Sequence, residues 1–198
     1  MIPSGREFFK MSGSGNDFVF VDARREPAEE LTRPEAIAAI CARGTGIGAD
    51  GVVLLEGSSQ ATVGIRYFNA DGSLASLCGN ATLCTTRLAV ALGAAPASGF
   101  TIETGSGVVA ARLGSSGPEI DLQPVDEVRP DAGLPLAQGE RRMGFALVGV
   151  PHLAVLVDEL EGLDVVGRGR PLRRHASLRQ GANVNFLAPD GPANWRIR

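Results

Sequence analysis

Asn69-Ala-Asp-Gly-Ser-Leu-Ala-Ser-Leu-Cys-Gly-Asn80 carries a cysteine to the point where a polar loop becomes an apolar helix beginning at Gly79. A thiol in that setting can do acid-base chemistry. Unpaired N–H groups and the positive end of the helix dipole stabilise an anion, and can lower a cysteine pKa from about 8.5 to roughly 3.5–7.5. Cys78 could therefore carry a thiolate. The N–H groups of Gly79, Asn80 and Ala81 would also cradle a carboxylate, with glycine permitting close backbone approach. The alternative is a packed cysteine behaving as a small hydrophobe, and on the residues alone both readings stand. Cys84, on the apolar face of the same helix, and Cys41, inside another, are expected in the core.

Other residues are less specific. His152 follows Gly149-Val-Pro151 at the start of an apolar strand, where an imidazole can face a cleft or simply pack. His175 sits beside Arg173-Arg174 and reads as an exposed loop residue. Gly13-Ser-Gly-Asn-Asp17 and Gly44-Thr-Gly-Ile-Gly-Ala-Asp-Gly51 are glycine-rich, but neither completes a Walker A motif or a dinucleotide fingerprint. Cys41, Cys78, Cys84, His152 and His175 contain no close ligand pair of the kind zinc sites use.

These residues need elements to position them. Asp17–Asp22 alternates as a strand, after a glycine-punctuated turn, and Thr32-Arg-Pro-Glu35 with Gly44 brackets a helix over 33–43. Strands are predicted at Val52–Leu55 and Val63–Phe68, a tight turn at Asn69–Gly72, and a buried helix from Gly79 to Leu92 stopped by Gly93. Three short strands follow, at Phe100–Glu103, Val108–Leu113 and Glu119–Leu122. The Pro-, Asp- and Gly-rich stretch 124–140 then reads as a linker. Beyond it come strands at Gly144–Val148 and Leu153–Val157, a polar stretch, and strands at Asn183–Leu187 and Trp195–Arg198. Two units, 1–124 and 125–198, are expected. Unit 125–198 reads as incomplete, because it has strands but no apolar helix like 79–92 and stops in mid-strand.

Composition narrows the function classes. A formal net charge of -3 over 198 residues, with scattered arginines, offers no field for a phosphate backbone, so no nucleic-acid partner is expected. No apolar run reaches the roughly 20 residues of a membrane-spanning helix, and MIPSGREFFK lacks a signal-peptide core. Three cysteines, an odd number, argue against a disulfide framework. A cytoplasmic protein acting on a small molecule, without a membrane partner, is the expectation, and a homodimer is compatible with it.

Several segments, taken in order, resemble the diaminopimelate epimerase family: Lys10-Met-Ser-Gly-Ser-Gly-Asn-Asp-Phe18, Gly46-Ile-Gly-Ala-Asp-Gly51, Phe68-Asn-Ala-Asp-Gly72, Leu77-Cys-Gly-Asn80, Thr104-Gly-Ser-Gly107, Pro151-His152 and Asn183-Val-Asn-Phe186. The resemblance implies an α/β (α+β) fold of two pseudo-symmetric units, each wrapping strands around a central helix with substrate between them. It also implies cofactor-independent, two-thiol inversion of one α-carbon of diaminopimelate, interconverting LL and meso forms for lysine and peptidoglycan synthesis. By the same resemblance Cys78 is one thiol and His152 the site histidine. Gly79 and Asn80 bind a carboxylate, and Asn16, Asn69 and Asn183 supply polar contacts to substrate.

The chain departs from the family pattern in three places. Val150 replaces the usual asparagine before Pro-His, and Ala81-Thr-Leu83 replaces Gly-Ala-Arg after Cys-Gly-Asn. The Glu-Arg segment and second Cys-Gly-Thr would lie beyond Arg198, which predicts a fragment inactive alone. An epimerase of the same fold with another substrate, or a half-protein that binds amino acids without inverting them, are the competing readings.

Overall fold

The computed structural model describes residues 5–122, 124–125 and 127–198. The chain divides into two compact units, Met1–Leu122 and Gln123–Arg198.

In the first unit β1 (Phe9–Gly13) turns back into β2 (Asn16–Asp22), and a single 3-10 turn at Glu29–Leu31 leads to α1 (Pro34–Cys41). Next come β3 (Gly51–Glu56), β4 (Val63–Asn69), the short β5 (Leu74–Ala75) and α2 (Gly79–Ala91). The unit closes with β6 (Phe100–Thr104), β7 (Gly107–Gly114) and β8 (Gly117–Asp121). Among the described residues these strands form one sheet in the order β1-β2-β3-β4-β6-β7-β8, with β5 alongside β4.

Strand periodicity explains how one sheet serves two cores. Phe18 and Phe20 of β2, with Val53 and Leu55 of β3, pack on one face with Ala81, Cys84 and Leu88 of α2. Val19, Val21, Val52 and Leu54 alternate to the other face, against Ile37, Ile40 and Cys41 of α1. Helix α2 touches β1 at one edge of the sheet and β7 and β8 at the other, so the sheet curls around it. A helix so enclosed must satisfy its own polar groups: the buried hydroxyls of Thr85 and Thr86 donate to the carbonyls of Ala81 and Thr82, each at 2.9 Å.

The second unit has β9 (Glu127–Arg129), β10 (Glu140–Val148), β11 (Val150–Val157), α3 (Val165–Arg173), β12 (Asn183–Pro189) and β13 (Trp195–Ile197), in the sheet order β13-β12-β11-β10-β9. Among the described residues of this unit only the β11–β12 pair is parallel, with α3 as its crossover. Met143, Leu153, Val155, Leu172 and Phe186 form its core. Its last segment is paired rather than bare: Arg198 and Phe186 exchange backbone hydrogen bonds at 2.7 and 2.9 Å.

Besides the 3-10 turn Glu29–Leu31 and the short β5, the elements β1, β9 and α3 go beyond the sequence expectation. β1 precedes the glycine-punctuated turn, in residues to which no element was assigned, and β9 lies in the stretch read as linker. α3 lies in the stretch read only as polar, because Gly167, Gly169 and Pro171 lower its helix propensity. Tertiary contacts outweigh that cost. Asp164 caps its first turn by accepting from Gly167 N at 2.8 Å, and Arg168 grips Glu140 with two bonds of 2.7 and 2.8 Å. The hydroxyl of Thr32, expected to cap α1, instead donates to the Glu29 carbonyl at 2.8 Å and closes the preceding turn. Among the described residues no helix is long and apolar enough to cross a membrane.

Candidate functional site

Chain topology gathers the candidate residues of the first unit at one end of its sheet. β2 and β3 are parallel and begin side by side, Phe18 opposite Gly51. β4 runs the other way and ends there, with Asn69 opposite Gly51. Asn16 opens β2 directly after a two-residue hairpin turn, Ser14-Gly15, in which both residues have positive φ, 51° and 90°. That is the conformation a tight hairpin turn demands.

A chain of hydrogen bonds joins this sheet end to helix α2. The Asp50 carboxylate accepts from Asn16 Nδ2 at 2.9 Å and from the Asp17 amide at 3.1 Å. A carboxylate can only accept, so Asn16 must present Nδ2 to it and keep Oδ1 for the other side. That oxygen accepts from Asn80 Nδ2 at 2.9 Å. The orientation of both amides is therefore set from Asp50 outward. Asp50 is held in turn by Arg43 at 2.9 Å, and Arg43 also pairs with Asp17 at 2.6 Å, where Lys10 adds a contact at 2.7 Å. The guanidinium of Arg43, then Lys10, holds the Asp17 carboxyl far below the usual carboxylate range.

Cys78 caps α2 with extended backbone angles, φ -139° and ψ 109°. Its carbonyl accepts from the amide and the hydroxyl of Thr82, both at 2.9 Å, which ties the cap to the first turn. A Cβ placed on Gly79 would meet no atom within 4 Å, so there is room beside the first residue of the helix, while the Asn80 and Ala81 N–H groups turn to the Cys78 sulfur. The loop before Cys78 is pinned by close backbone contact: a Cβ on Gly105, in the β6–β7 turn, would lie 2.9 Å from Ser76 Cα.

Burial works against the thiolate that the helix terminus allows at Cys78. Burial pushes the thiol above its ordinary value, outweighing the N–H groups of Ala81 and Asn80 and a hydrogen bond from Tyr67 that pull it down, while the Asp50 charge adds to the upward push. The residue pattern marks the helix terminus but not how deeply the sulfur sits. Cys41 and Cys84 are buried, as expected, and burial raises both thiols.

Asn69 lies at this end too, but its side chain donates to Ser73 Oγ at 3.0 Å inside the turn that leads to Cys78. His152 and Asn183 belong to the second unit, where they are direct neighbours in the parallel β11–β12 register. Burial lowers the His152 pKa, favouring the neutral ring. Arg173 donates to Asn183 Oδ1 at 3.0 Å. Val150 opens β11, two residues before His152.

Three residues not singled out by sequence reasoning belong to these constellations. Asp50 lies inside the glycine-rich segment Gly46–Gly51, noticed in sequence only as part of a motif. Tyr67 reads in sequence as one more apolar strand position. Asn185, whose Nδ2 approaches His152 Nδ1 at 3.4 Å and donates to the Leu153 carbonyl at 3.2 Å, stands out in sequence only as part of a motif.

Residues 8–126 match the family model described as Diaminopimelate epimerase. A diaminopimelate epimerase of Gemmatimonas aurantiaca is 48% identical over 194 residues, covering 96% of this chain and 70% of the relative. One from Archaeoglobus fulgidus is 34% identical over 197 residues, covering 93% and 70%. Among solved structures, a Bacillus anthracis phenazine biosynthesis protein of the PhzF family superposes with a TM-score of 0.66 at 20% identity, covering 98% of this chain and 70% of that one. A hydroxyproline epimerase from Agrobacterium vitis, with bound trans-4-hydroxy-L-proline, gives 0.63 at 18% identity, covering 96% and 68%. At these identities the structural likeness speaks to the fold, which is the α+β epimerase-like fold expected from the sequence.

Proposed function

Because this chain belongs to the diaminopimelate epimerase family, we propose that it serves the inversion of one α-carbon of diaminopimelate, interconverting the LL and meso forms without a cofactor. The product would feed lysine and peptidoglycan synthesis in the cytoplasm. The observation that carries this reading is a cysteine at the N-cap of α2, with free space beside Gly79 and with Asn16 and Asn80 hydrogen-bonded to each other at the same sheet end.

Inversion needs one group to take the α-proton from one face and another to return a proton to the opposite face, and positioned proton transfer contributes roughly 100 to 10,000-fold. Burial keeps Cys78 in the thiol form at neutral pH, which is the proton-donating form. In the reverse direction it must act as a thiolate, and the N–H groups of Asn80 and Ala81 ease that step. The second group is the second thiol that two-thiol chemistry requires. The Gly79 and Asn80 amides hold the α-carboxylate, the Asn16 and Asn69 side chains present polar groups to the ammonium and carboxylate, and His152 and Asn183 keep the substrate roles that the family resemblance implies.

The test is exchange of the substrate α-proton in heavy water, followed by NMR with the full gene product. Wild type is expected to exchange both LL- and meso-diaminopimelate, and Cys78→Ala to abolish turnover. Absence of exchange by wild type would overturn the assignment. A second reading, an epimerase of the same fold acting on another amino acid, is favoured by Val150 and by Ala81-Thr82-Leu83; preferential turnover of a simpler amino acid in the same assay would establish it.

A further inference from the structure

Tyr67 lies on β4 with its ring on the α2 side of the sheet, in the same cluster as Phe18, Ala81 and Cys84, and Cys78 packs against that cluster. Phe18 meets the ring edge-on at 5.9 Å and 81°. The ring crosses the sheet over Gly51: a Cβ there would sit 2.5 Å from Tyr67 Cε2 and 3.0 Å from the phenolic oxygen. The bare backbone of Gly51 leaves room for the ring; Tyr67 pairs with Ala75 of β5, three residues before Cys78, whose side chain packs against the same cluster, and the phenol bears on the acidity of its sulfur.

We propose that Tyr67 is the positioning residue for the Cys78 thiol, its hydroxyl donating to the sulfur and stabilising the thiolate form. Beside the Asn80 and Ala81 amides, the Tyr67 side chain is what favours the charged form of this sulfur. The groups facing the pair are Asp50 at the start of β3, Cys41 at the end of α1 and Cys84 one turn along α2. None of these supplies a proton as Tyr67 does: Asp50 accepts from Asn16 and Asp17, and the other two are buried thiols. Burial and the neighbouring thiol and carboxylate hold the phenol above its usual pKa, so it remains a neutral donor across the range in which the thiol titrates.

The inference rests on Cys78 being the reacting thiol, but its test needs no turnover. Iodoacetamide alkylation of the purified chain is followed against pH, with each cysteine resolved by peptide mass. Tyr67→Phe is expected to move the Cys78 midpoint up by about one pH unit, the loss of one hydrogen bond to a charged group. The chain contains one tyrosine, so biosynthetic replacement with a monofluorinated tyrosine changes Tyr67 alone; as a stronger donor it is expected to move the midpoint down. Opposite shifts support the proposal, since a packing role would not reverse sign with donor strength. An unmoved midpoint in the fluorinated protein overturns it, whether or not the phenylalanine variant folds. Loss of α-proton exchange in the assay above, with both shifts present, would sink the epimerase reading and leave the role of Tyr67 standing.

Discussion

Asn80 donates its side-chain amide to Asn16 at 2.9 Å across 64 positions of sequence, and Asn16 passes the constraint on to Asp50. The orientation of a helix-start amide is thereby decided by a carboxylate it does not touch. Asp50→Ala would leave Asn16 Nδ2 and the Asp17 amide without their acceptor. A loss of about 1–2 kcal/mol of stability is expected for partly exposed groups of this kind, measured by urea denaturation. Substrate affinity in Asp50→Ala should fall further than stability alone requires, read as a higher KM. An unchanged KM would mean that the two amides orient themselves.

Gly51→Ala tests the other support of the site. A Cβ would press on the Phe68 carbonyl oxygen and fall 2.5 Å from the Tyr67 ring, so ring or strand must shift. Overpacking of this kind costs about 1–3 kcal/mol. The variant should melt lower and show altered Cys78 alkylation, both measurable on one preparation.

Three thiols have pKa values raised by burial in the folded chain. Folding therefore favours their protonated form, and the associated stability is complete below the unfolded thiol value of about 8.5 and lost as pH rises through the folded values. Urea midpoints should decline above about pH 8.5, and less steeply in Cys84→Ala at equal ionic strength. A flat alkaline profile would contradict the burial.

The second unit should be sensitive on the acid side. The Glu140 side chain is only 3% exposed, paired with Arg168 and accepting from the Ala137 amide at 2.7 Å. Arg168 holds the Glu140 pKa down, so its stabilising contribution is present above the unfolded carboxyl value of about 4.3 and lost as pH falls through the lower folded value. Arg168→Met should cost about 3 kcal/mol by stranding a buried carboxylate. Glu140→Gln/Arg168→Met should recover part of that loss.

Local pattern was enough for much of this molecule. Alternation in Asp17–Asp22 and Val63–Phe68, the glycine stops at Gly44 and Gly93, and the continuous apolar face of the 79–92 segment each carry their own physical signal, and strands and helices stand there. So did the placing of Cys78 at a helix start, because a polar loop followed by an apolar run marks that junction in the residues themselves. The weak strand β1 and the glycine- and proline-bearing α3 were not legible, since what holds them is pairing with β2 in one case and the Glu140–Arg168 grip in the other. Only the tertiary structure decided the acidity of Cys78. The helix terminus was visible, but the depth of burial that outweighs it, the Tyr67 ring packed over Gly51, and the Asp50–Asn16–Asn80 chain depend on strands distant in sequence meeting at one sheet end. Desolvation and hydrogen-bond orientation are properties of those meetings, and no spacing along the chain encodes them.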